Sequence, residues 1–162
     1  WPRRKALNHN TLEFPRDYLL HKGGITLEFN LKPGLVGEAK ELVSAENTAQ
    51  KYGSGGVAVY ATPAMIGLME NASLRAVDPL LPEGWATVGT HLDVKHLAAT
   101  PVGMTVTAKA ELQQIEGRRL VFWVEAFDER EKVGEGSHER YIINLSKFLA
   151  KNEEKKIVNK GE

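Results

Sequence analysis

The sequence predicts an α+β fold in which an antiparallel sheet wraps around one long helix. Hydrophobic residues recur with helical spacing in only one long segment. The segments after it alternate between apolar and polar residues, which is typical of half-buried antiparallel strands. A doubly wound or barrel enzyme would need repeated helices between its strands. We therefore expect one helix covered by one sheet.

The predicted helix starts at Thr62, which is a favourable N-cap, and Pro63 suits the first helical position. At about 100° per residue, one face of this helix is apolar and faces the core. It consists of Met65, Ile66, Met69, Ala72, Ser73, Ala76 and Val77. The opposite face is predicted to carry Gly67, Leu68, Asn71, Arg75 and Asp78. Pro79, Pro82 and Gly84 end the helix.

Strands are predicted on both sides of the helix. The first covers residues 36–44, with residues 25–31 as a candidate partner segment before it. The others cover residues 87–98, 104–114, 120–127 and 133–145. This order of elements favours a hotdog fold, but other α+β sandwiches share the pattern, and the order alone does not decide between them.

Length and composition suit one domain. The chain has 162 residues, of which 42% are hydrophobic and 26% charged, and this suffices for one core. We expect the domain to cover residues 25–150, with an appended, poorly structured arm at 1–24 and a polar tail at 151–162. Lys+Arg and Asp+Glu both total 21, so no net charge attracts nucleic acid or an anionic membrane.

The absence of cysteine excludes disulfides, cysteine zinc sites and thiol nucleophiles. No apolar run approaches the roughly 18 residues that span a bilayer, and no signal-peptide pattern is present at the N-terminus. We therefore expect a soluble, cytoplasmic protein with no nucleic-acid partner and no membrane partner.

His96 is the first candidate for chemistry, because strand alternation predicts that it points inward. The predicted inward positions of this strand are Val88, Thr90, Leu92, Val94, His96 and Ala98. An inward histidine suits general acid or base catalysis. It also suits a plain core role in which the ring bonds to a backbone carbonyl.

Two helix residues are candidates to share a site with His96. Glu70 follows Thr62 by eight positions, about 80° around the helix, so its carboxylate lies at the edge of the apolar face and needs a polar partner. The Thr62 hydroxyl lies at the positive end of the helix, where an oxyanion would be stabilised. The plain alternatives are a solvated Glu70 and a Thr62 that only caps the helix. Hydroxyl, carboxylate and imidazole are the groups that acyl transfer needs.

Other motifs are weaker. Residues 53–58 match a loose dinucleotide-binding pattern, but no βαβ unit surrounds them. Tyr52 stands where a hydrolase nucleophile elbow around Ser54 needs glycine. Asp93 and His96 point to opposite faces of a strand, and His138 has no companion histidine at the spacing of a zinc protease. We predict no metal site.

Five ordered blocks lie within residues 36–150. They are ATPAMIGLME at 61–70, VGT at 88–90, HLAATPVG at 96–103, EGRRL at 116–120 and GSHER at 136–140. Together they closely resemble the fluoroacetyl-CoA thioesterase family. The resemblance implies a hotdog homodimer, or a dimer of dimers, that hydrolyses a short or small acyl-CoA thioester to the free acid and CoA. It implies no separate cofactor, since CoA is part of the substrate.

The same resemblance implies the roles of individual residues. Thr62, Glu70 and His96 correspond to the catalytic threonine, glutamate and histidine, and the attacking group is Thr62, Glu70 or a water molecule. Gly89 corresponds to a glycine that lines the acyl pocket, and Arg140 to an arginine that supports the substrate or the second subunit. An exposed edge of the predicted sheet is a separate physical reason for two copies to pair.

The loop before the helix departs from the family pattern. The fluoroacetyl-specific enzyme has a phenylalanine-bearing lid there, whereas residues 52–56 of this chain contain no phenylalanine. We therefore expect a general thioesterase for small acyl-CoA substrates. The alternatives are a non-catalytic acyl-CoA-binding protein that acts as a sensor or regulator, and a hotdog hydratase, whose Asp and His loop motif we do not find.

Overall fold

The computed structural model describes residues 29–157 and, nearer the N-terminus, two short strands. These strands, β1 (Leu20–His21) and β2 (Gly24–Ile25), pair antiparallel. They belong to a compact unit, Trp1–Asn30, and a second compact unit comprises Leu31–Glu162. Most of the predicted arm, and the end of the predicted tail from residue 158, lie outside the described residues.

The second unit contains a five-stranded antiparallel sheet with the strand order β3-β5-β6-β7-β4. The strands are β3 (Val36–Leu42), β4 (Trp85–His96), β5 (Thr105–Glu116), β6 (Arg119–Phe127) and β7 (Lys132–Asn144). All five predicted strands are present, and their ends differ from the predicted ones by no more than two residues. Strands β3 and β4 form the two edges of the sheet.

One long helix, α2 (Thr62–Val77), contacts β3, β5, β6 and β4, so the sheet curls around it as predicted. A 3-10 turn (Ala45–Asn47) and the short helix α1 (Ala49–Tyr52) precede it, and a 3-10 turn (Asp78–Leu80) follows it. None of the helices in the described residues is long and apolar enough to cross a membrane.

The chain after β7 forms a helix, which takes the place of the end of the predicted last strand and the start of the predicted polar tail. The predicted last strand extended to residue 145 and the predicted tail began at residue 151, but helix α3 (Leu145–Glu153) occupies this region and a 3-10 turn (Glu154–Lys156) follows it. The side chain of Asn144 accepts a hydrogen bond from the Lys147 N–H. This N-cap ends the strand, because it supplies a first-turn donor of the helix with a partner.

The buried face of α2 is wider than the sequence predicts. It consists of Ala64, Met65, Leu68, Met69, Ala72, Ser73, Ala76 and Val77. The prediction that Leu68 lies on the outer face is wrong, and Ile66, predicted to be buried, is half-buried. Ala64 and Leu68 lie on the side of the helix where they line a pocket together with Glu41 of β3 and Tyr52 of α1.

Strand β4 contains a bulge at Thr90. The partner of Gly89 in β7 is Arg140, and the partner of His91 is the adjacent residue Glu139, so Thr90 has no partner. An extra residue reverses the alternation of faces, because successive side chains of a strand point to opposite sides. Odd-numbered residues such as Gly89 therefore face the helix before the bulge, and even-numbered residues such as His96 face it after the bulge.

Because of the bulge, some residues of β4 that were predicted to face inward do not. Thr87 is buried and Gly89 faces α2, whereas Thr90, predicted to face inward, is exposed and Val88 is only half-buried. Beyond the bulge Val94 and His96 are half-buried, as expected of inward positions, and His96 contacts the helix, but Leu92, also predicted to face inward, is exposed. The error comes from applying a strict period of two to a strand that contains an extra residue.

Candidate active site

Backbone hydrogen bonds fix the two residues that precede helix α2. Tyr60 N–H donates to the Thr100 carbonyl and Ala61 N–H donates to the Asn47 carbonyl. The buried Tyr60 hydroxyl donates to a Glu41 carboxylate oxygen. Burial raises the pKa of the phenol, and the Glu41 carboxylate raises it further by a smaller amount. These contacts fix the position of the residue that begins the helix.

Thr62 is the first residue of α2 and does not cap it. The N-cap is Ala61, which has extended backbone angles and makes no side-chain capping hydrogen bond. The prediction that Thr62 is the N-cap is therefore wrong by one residue. Its hydroxyl instead forms a 2.8 Å hydrogen bond with Nδ1 of His96. Thr62 thus has a polar contact that a capping role does not explain.

The first turn of α2 also offers backbone donors. The first N–H groups of a helix have no partner within it, and here they belong to Thr62 and Ala64, because Pro63 lacks an N–H. The positive end of the helix dipole adds to their field. A carbonyl oxygen that becomes negative beside Thr62 would be stabilised there.

His96 is the other half of this pair. Its Nε2 is buried and has no hydrogen-bond partner within the described residues. Burial lowers the pKa of the imidazole below its ordinary value, although a backbone hydrogen bond with Ala98 acts in the opposite direction. The ring is therefore neutral near pH 7, and a neutral imidazole can accept a proton from a hydroxyl or a water.

A cavity of about 350 Å³ opens beside the Thr62 and His96 side chains, and we call it the Thr62 cavity. Its remaining walls are Ala49, Ser54, Val59, Tyr60, Leu97, Ala98 and Ala99. Most of these side chains are small and apolar, and none carries a charge. The cavity therefore suits an uncharged group next to the Thr62 hydroxyl.

Glu70, Gly89 and Arg140 lie together in a different place. They line a second cavity of about 420 Å³, which we call the Glu70 cavity, with Gly67, Asn71, Leu74, Thr87 and Val88. A Cβ at position 89 would lie 2.5 Å from Oε1 of Glu70. A side chain at position 89 would require the Glu70 carboxylate to move aside, so glycine permits the present close approach.

His138, rather than the expected His96, lies beside Glu70 within one protomer. His138 Cε1 and Glu70 Oε1 both lie within 3.2 Å of the position that a Cβ on Gly89 would take. The Glu70 charge is among the smaller influences on the pKa of His138, which burial lowers. Sequence reasoning considered His138 only as a metal ligand and missed this position. Its spacing of two from Arg140 on a strand was the signal that both point to the same face.

Within one protomer, the structure brings Thr62 to His96, and Glu70 to Gly89 and Arg140. Glu70 follows Thr62 by eight positions, which corresponds to about 12 Å along the axis of α2. The two groups line separate cavities. The catalytic roles of Thr62, Glu70 and His96, and the substrate-binding roles of Gly89 and Arg140, stay predictions. No cluster of three potential metal ligands occurs among the described residues.

Comparison with known proteins identifies the family. Residues 43–146 match the family model described as fluoroacetyl-CoA-specific thioesterase. The chain belongs to this family. The fluoroacetyl-CoA thioesterase of Streptantibioticus cattleyicolor is 50% identical over 97 residues, which is 60% of this chain and 70% of that protein.

Solved structures of family members and relatives confirm the hotdog fold. A structure of the fluoroacetyl-CoA thioesterase matches with a TM-score of 0.73 and 40% identity, covering 78% of this chain and 98% of that one. A thioesterase superfamily member from Thermus thermophilus matches with a TM-score of 0.72 and 31% identity, covering 77% and 93% of the two chains. The prediction of an acyl-CoA thioesterase is confirmed at the level of the family.

Replacing Thr62 by valine separates chemistry from helix stability. Valine keeps the β-branched shape but removes the hydroxyl that bonds to His96, so we expect kcat/KM to fall by about 10² to 10⁴. Because Thr62 is not a cap and is exposed, the free energy of unfolding should change by less than about 0.5 kcal/mol. Urea denaturation and thiol-release kinetics measure the two quantities.

The matched control is Asn144→Ala, which removes a real cap from α3. It should cost about 1 kcal/mol of stability and leave turnover nearly intact. A Thr62→Val enzyme with normal turnover would exclude a catalytic hydroxyl.

The pH dependence of kcat/KM should reflect the lowered pKa of His96. Protonation removes the base, so activity is present above this pKa and is lost as the pH falls through it. The midpoint of this acid limb should lie below 6.5, the ordinary value for histidine. A pH–rate profile measures it, and proton NMR titration of the His96 ring in Thr62→Val assigns it. A His96 midpoint above 6.5 would contradict the burial argument.

Proposed function

We propose that two copies of this chain form a homodimer that hydrolyses small acyl-CoA thioesters at sites to which both copies contribute. That the chain is an acyl-CoA thioesterase follows from its family. The observation that supports a shared site is the separation of Thr62 and His96 from Glu70 within one protomer. The cytoplasmic location expected from the sequence stays a prediction.

Strand β4 offers the surface on which two copies would pair. It is an edge of the five-stranded sheet, and residues 89–93 of it are exposed. An edge strand presents unpaired N–H and C=O groups, and antiparallel pairing with a second copy would satisfy them. The other edge, β3, has 7 residues against 12 in β4, and it carries the exposed charges of Glu38 and Lys40.

The positions of Gly89 and His96 define the register of this pairing. A two-fold axis between Leu92 and Asp93 places Gly89 of one copy opposite His96 of the other. Adjacent strands lie about 4.8 Å apart. The Glu70 cavity of one copy, which includes Gly89, then lies next to Thr62 and His96 of its partner. One thioester would contact a hydroxyl, an imidazole and a carboxylate at the same time.

In this site the thioester carbonyl lies near the start of α2. The Thr62 hydroxyl and the first-turn N–H groups polarise it. Glu70 of the second copy either directs a water molecule onto the carbonyl, or attacks the carbonyl itself and forms a mixed anhydride that water then hydrolyses, which restores the Glu70 carboxylate. In both routes neutral His96 receives a proton from the attacking water. The CoA thiolate leaves and is protonated by the imidazolium in the direct route and by solvent in the anhydride route, and the free acid remains.

The activity is tested with acetyl-, propionyl-, phenylacetyl-, fluoroacetyl- and crotonyl-CoA. We expect release of one thiol for each thioester consumed, measured with a chromogenic thiol reagent. The chain has no cysteine, so it adds no background to this assay. A non-catalytic binding protein would bind acyl-CoA without releasing thiol. A hydratase would instead remove the double-bond absorbance of crotonyl-CoA while the thioester stays intact.

Mixed dimers test the shared site. In a heterodimer of Glu70→Ala and His96→Ala chains, one of the two shared sites keeps both wild-type groups and the other loses both. We therefore expect about half of the wild-type activity per dimer. If both residues acted within one protomer, neither site would be intact and the heterodimer would be inactive. Purification through two different tags isolates this species.

The control heterodimer combines His96→Ala with Thr62→Val. In the proposed dimer, His96 and Thr62 of one chain belong to the same site. Both sites of this heterodimer therefore lack one of these groups, whether or not the sites are shared between chains, and no recovery of activity is expected. Light scattering gives the oligomeric state, and a mass near 17.9 kDa, that of one chain, would contradict the dimer.

A further inference from the structure

Behind the Glu70 cavity lies a buried polar cluster that the proposed mechanism does not yet use. His138 is 0% exposed and Arg140 is 6% exposed, and both point inward from β7. Burial of such groups is costly unless their hydrogen bonds are satisfied. The partners of the two side chains therefore show how the cluster is held together.

The contacts of His138 determine where its proton lies. Nδ1 lies 2.9 Å from the His91 carbonyl oxygen, and Nε2 lies 3.2 Å from Nη1 of Arg140. A carbonyl only accepts and a guanidinium only donates. His138 must therefore carry its proton on Nδ1, donate it to His91 and accept from Arg140 through Nε2. The Phe122 ring lies on one side of the imidazole, with 6.3 Å between the ring centroids.

The charge state of His138 agrees with this geometry. Burial, and to a smaller extent the positive charge of Arg140, lower the pKa of the imidazole, against the raising effects of the His91 carbonyl and of nearby Glu70 and Glu139. A protonated ring would direct a donor at a guanidinium that has no acceptor. The neutral form is the one that these surroundings stabilise.

The other side of the Arg140 guanidinium is held by Thr87. Nε donates to the Thr87 hydroxyl at 2.8 Å, and Nη2 donates to the Thr87 carbonyl at 2.9 Å. The Thr87 hydroxyl and N–H in turn donate to the carboxylate of Asp78 at the end of α2. Thr87 is thereby fixed to the helix, and Arg140 is fixed to Thr87.

Three of the five N–H donors of Arg140 are used by Thr87 and His138. One donor on each terminal nitrogen remains, and no ion pair of Arg140 is found within the described residues. Arg140 lines the Glu70 cavity. The remaining donors are therefore available to a group that enters this cavity.

We propose that His138 is a positioning residue, whose Nε2 holds the Arg140 guanidinium so that its free N–H donors serve an acyl-CoA substrate in the Glu70 cavity. This inference rests on the proposed function, because it assumes that the substrate enters this cavity. His138 itself does not touch the substrate. A purely structural role would consist of satisfying the His91 carbonyl beside the bulge of β4.

Two substitutions separate these roles, since each keeps one of the two hydrogen bonds. The amide of glutamine reaches about as far as Nε2, so His138→Gln keeps an acceptor for Arg140 and loses the donor to His91. The amide of asparagine reaches about as far as Nδ1, so His138→Asn keeps the donor and loses the acceptor. Ser137→Ala, at the preceding residue of β7 whose side chain points to the other face, serves as the control.

If His138 positions Arg140, His138→Asn should lower kcat/KM by about tenfold or more, because a buried guanidinium donor loses its acceptor. His138→Gln and Ser137→Ala should stay within about threefold of wild type. Equal activities of the two His138 variants, or a less active Gln variant, would overturn the proposal. Thermal melts of all three show whether a loss follows stability instead.

A measurement on the unmodified chain keeps the proposal testable if a variant does not fold. Long-range ¹H–¹⁵N NMR should show His138 near pH 7 as the neutral ring with its proton on Nδ1. A proton on Nε2, or a charged ring, would overturn the proposal. A wild-type chain that releases no thiol would instead contradict the proposed function, and the NMR result would still decide the arrangement of His138.

Discussion

Helix α2 packs against strand β3 so closely that a Cβ at Gly37 would lie 2.0 Å from the carbonyl oxygen of Ala72. The backbones of the two elements are therefore nearly in contact, and the helix cannot shift without losing this packing. The contacts of Tyr60 and Ala61 hold its first turn from the other side. Thr62 meets His96 because the whole helix is fixed in place, and Glu70 is placed two turns further along by the same constraint.

Strand β4 borders both the Glu70 cavity and the Thr62 cavity. Before its bulge, Gly89 approaches the helix closely enough to contact Glu70, and beyond the bulge His96 reaches Thr62. Without the extra residue, Gly89 and His96 would face opposite sides of the sheet, because seven positions separate them. The same strand is a sheet edge, so the bulge that orients Gly89 and His96 within one protomer also lies on the edge at which the proposed pairing would occur.

The cluster behind Gly89 holds a buried charge through hydrogen bonds to neutral groups. Arg140 is buried, and its hydrogen bonds go to the neutral groups of Thr87 and His138. A buried cation held in this way is costly, and an apolar side chain of similar size would generally stabilise a core as well or better. The arrangement leaves a guanidinium with free donors beside a carboxylate. That is useful where a polar substrate must be oriented.

The sequence by itself determined the kinds of elements and their order. One helical segment followed by segments with a period of two was enough for the α+β class, since periodicity depends only on neighbouring residues. The resemblance of five ordered sequence blocks to one family then added Gly89 and Arg140, which periodicity does not single out. Both lie where the structure brings Glu70.

Only the tertiary structure decided which side chains meet. In the structure Ala61, rather than the predicted Thr62, is the N-cap of α2, so the Thr62 hydroxyl bonds to His96 instead of capping the helix. It also placed His138, rather than His96, next to Glu70. These outcomes depend on the bulge in β4 and on the packing of elements that are far apart in the chain. A local pattern cannot contain them, because one inserted residue reverses the faces of every strand position that follows.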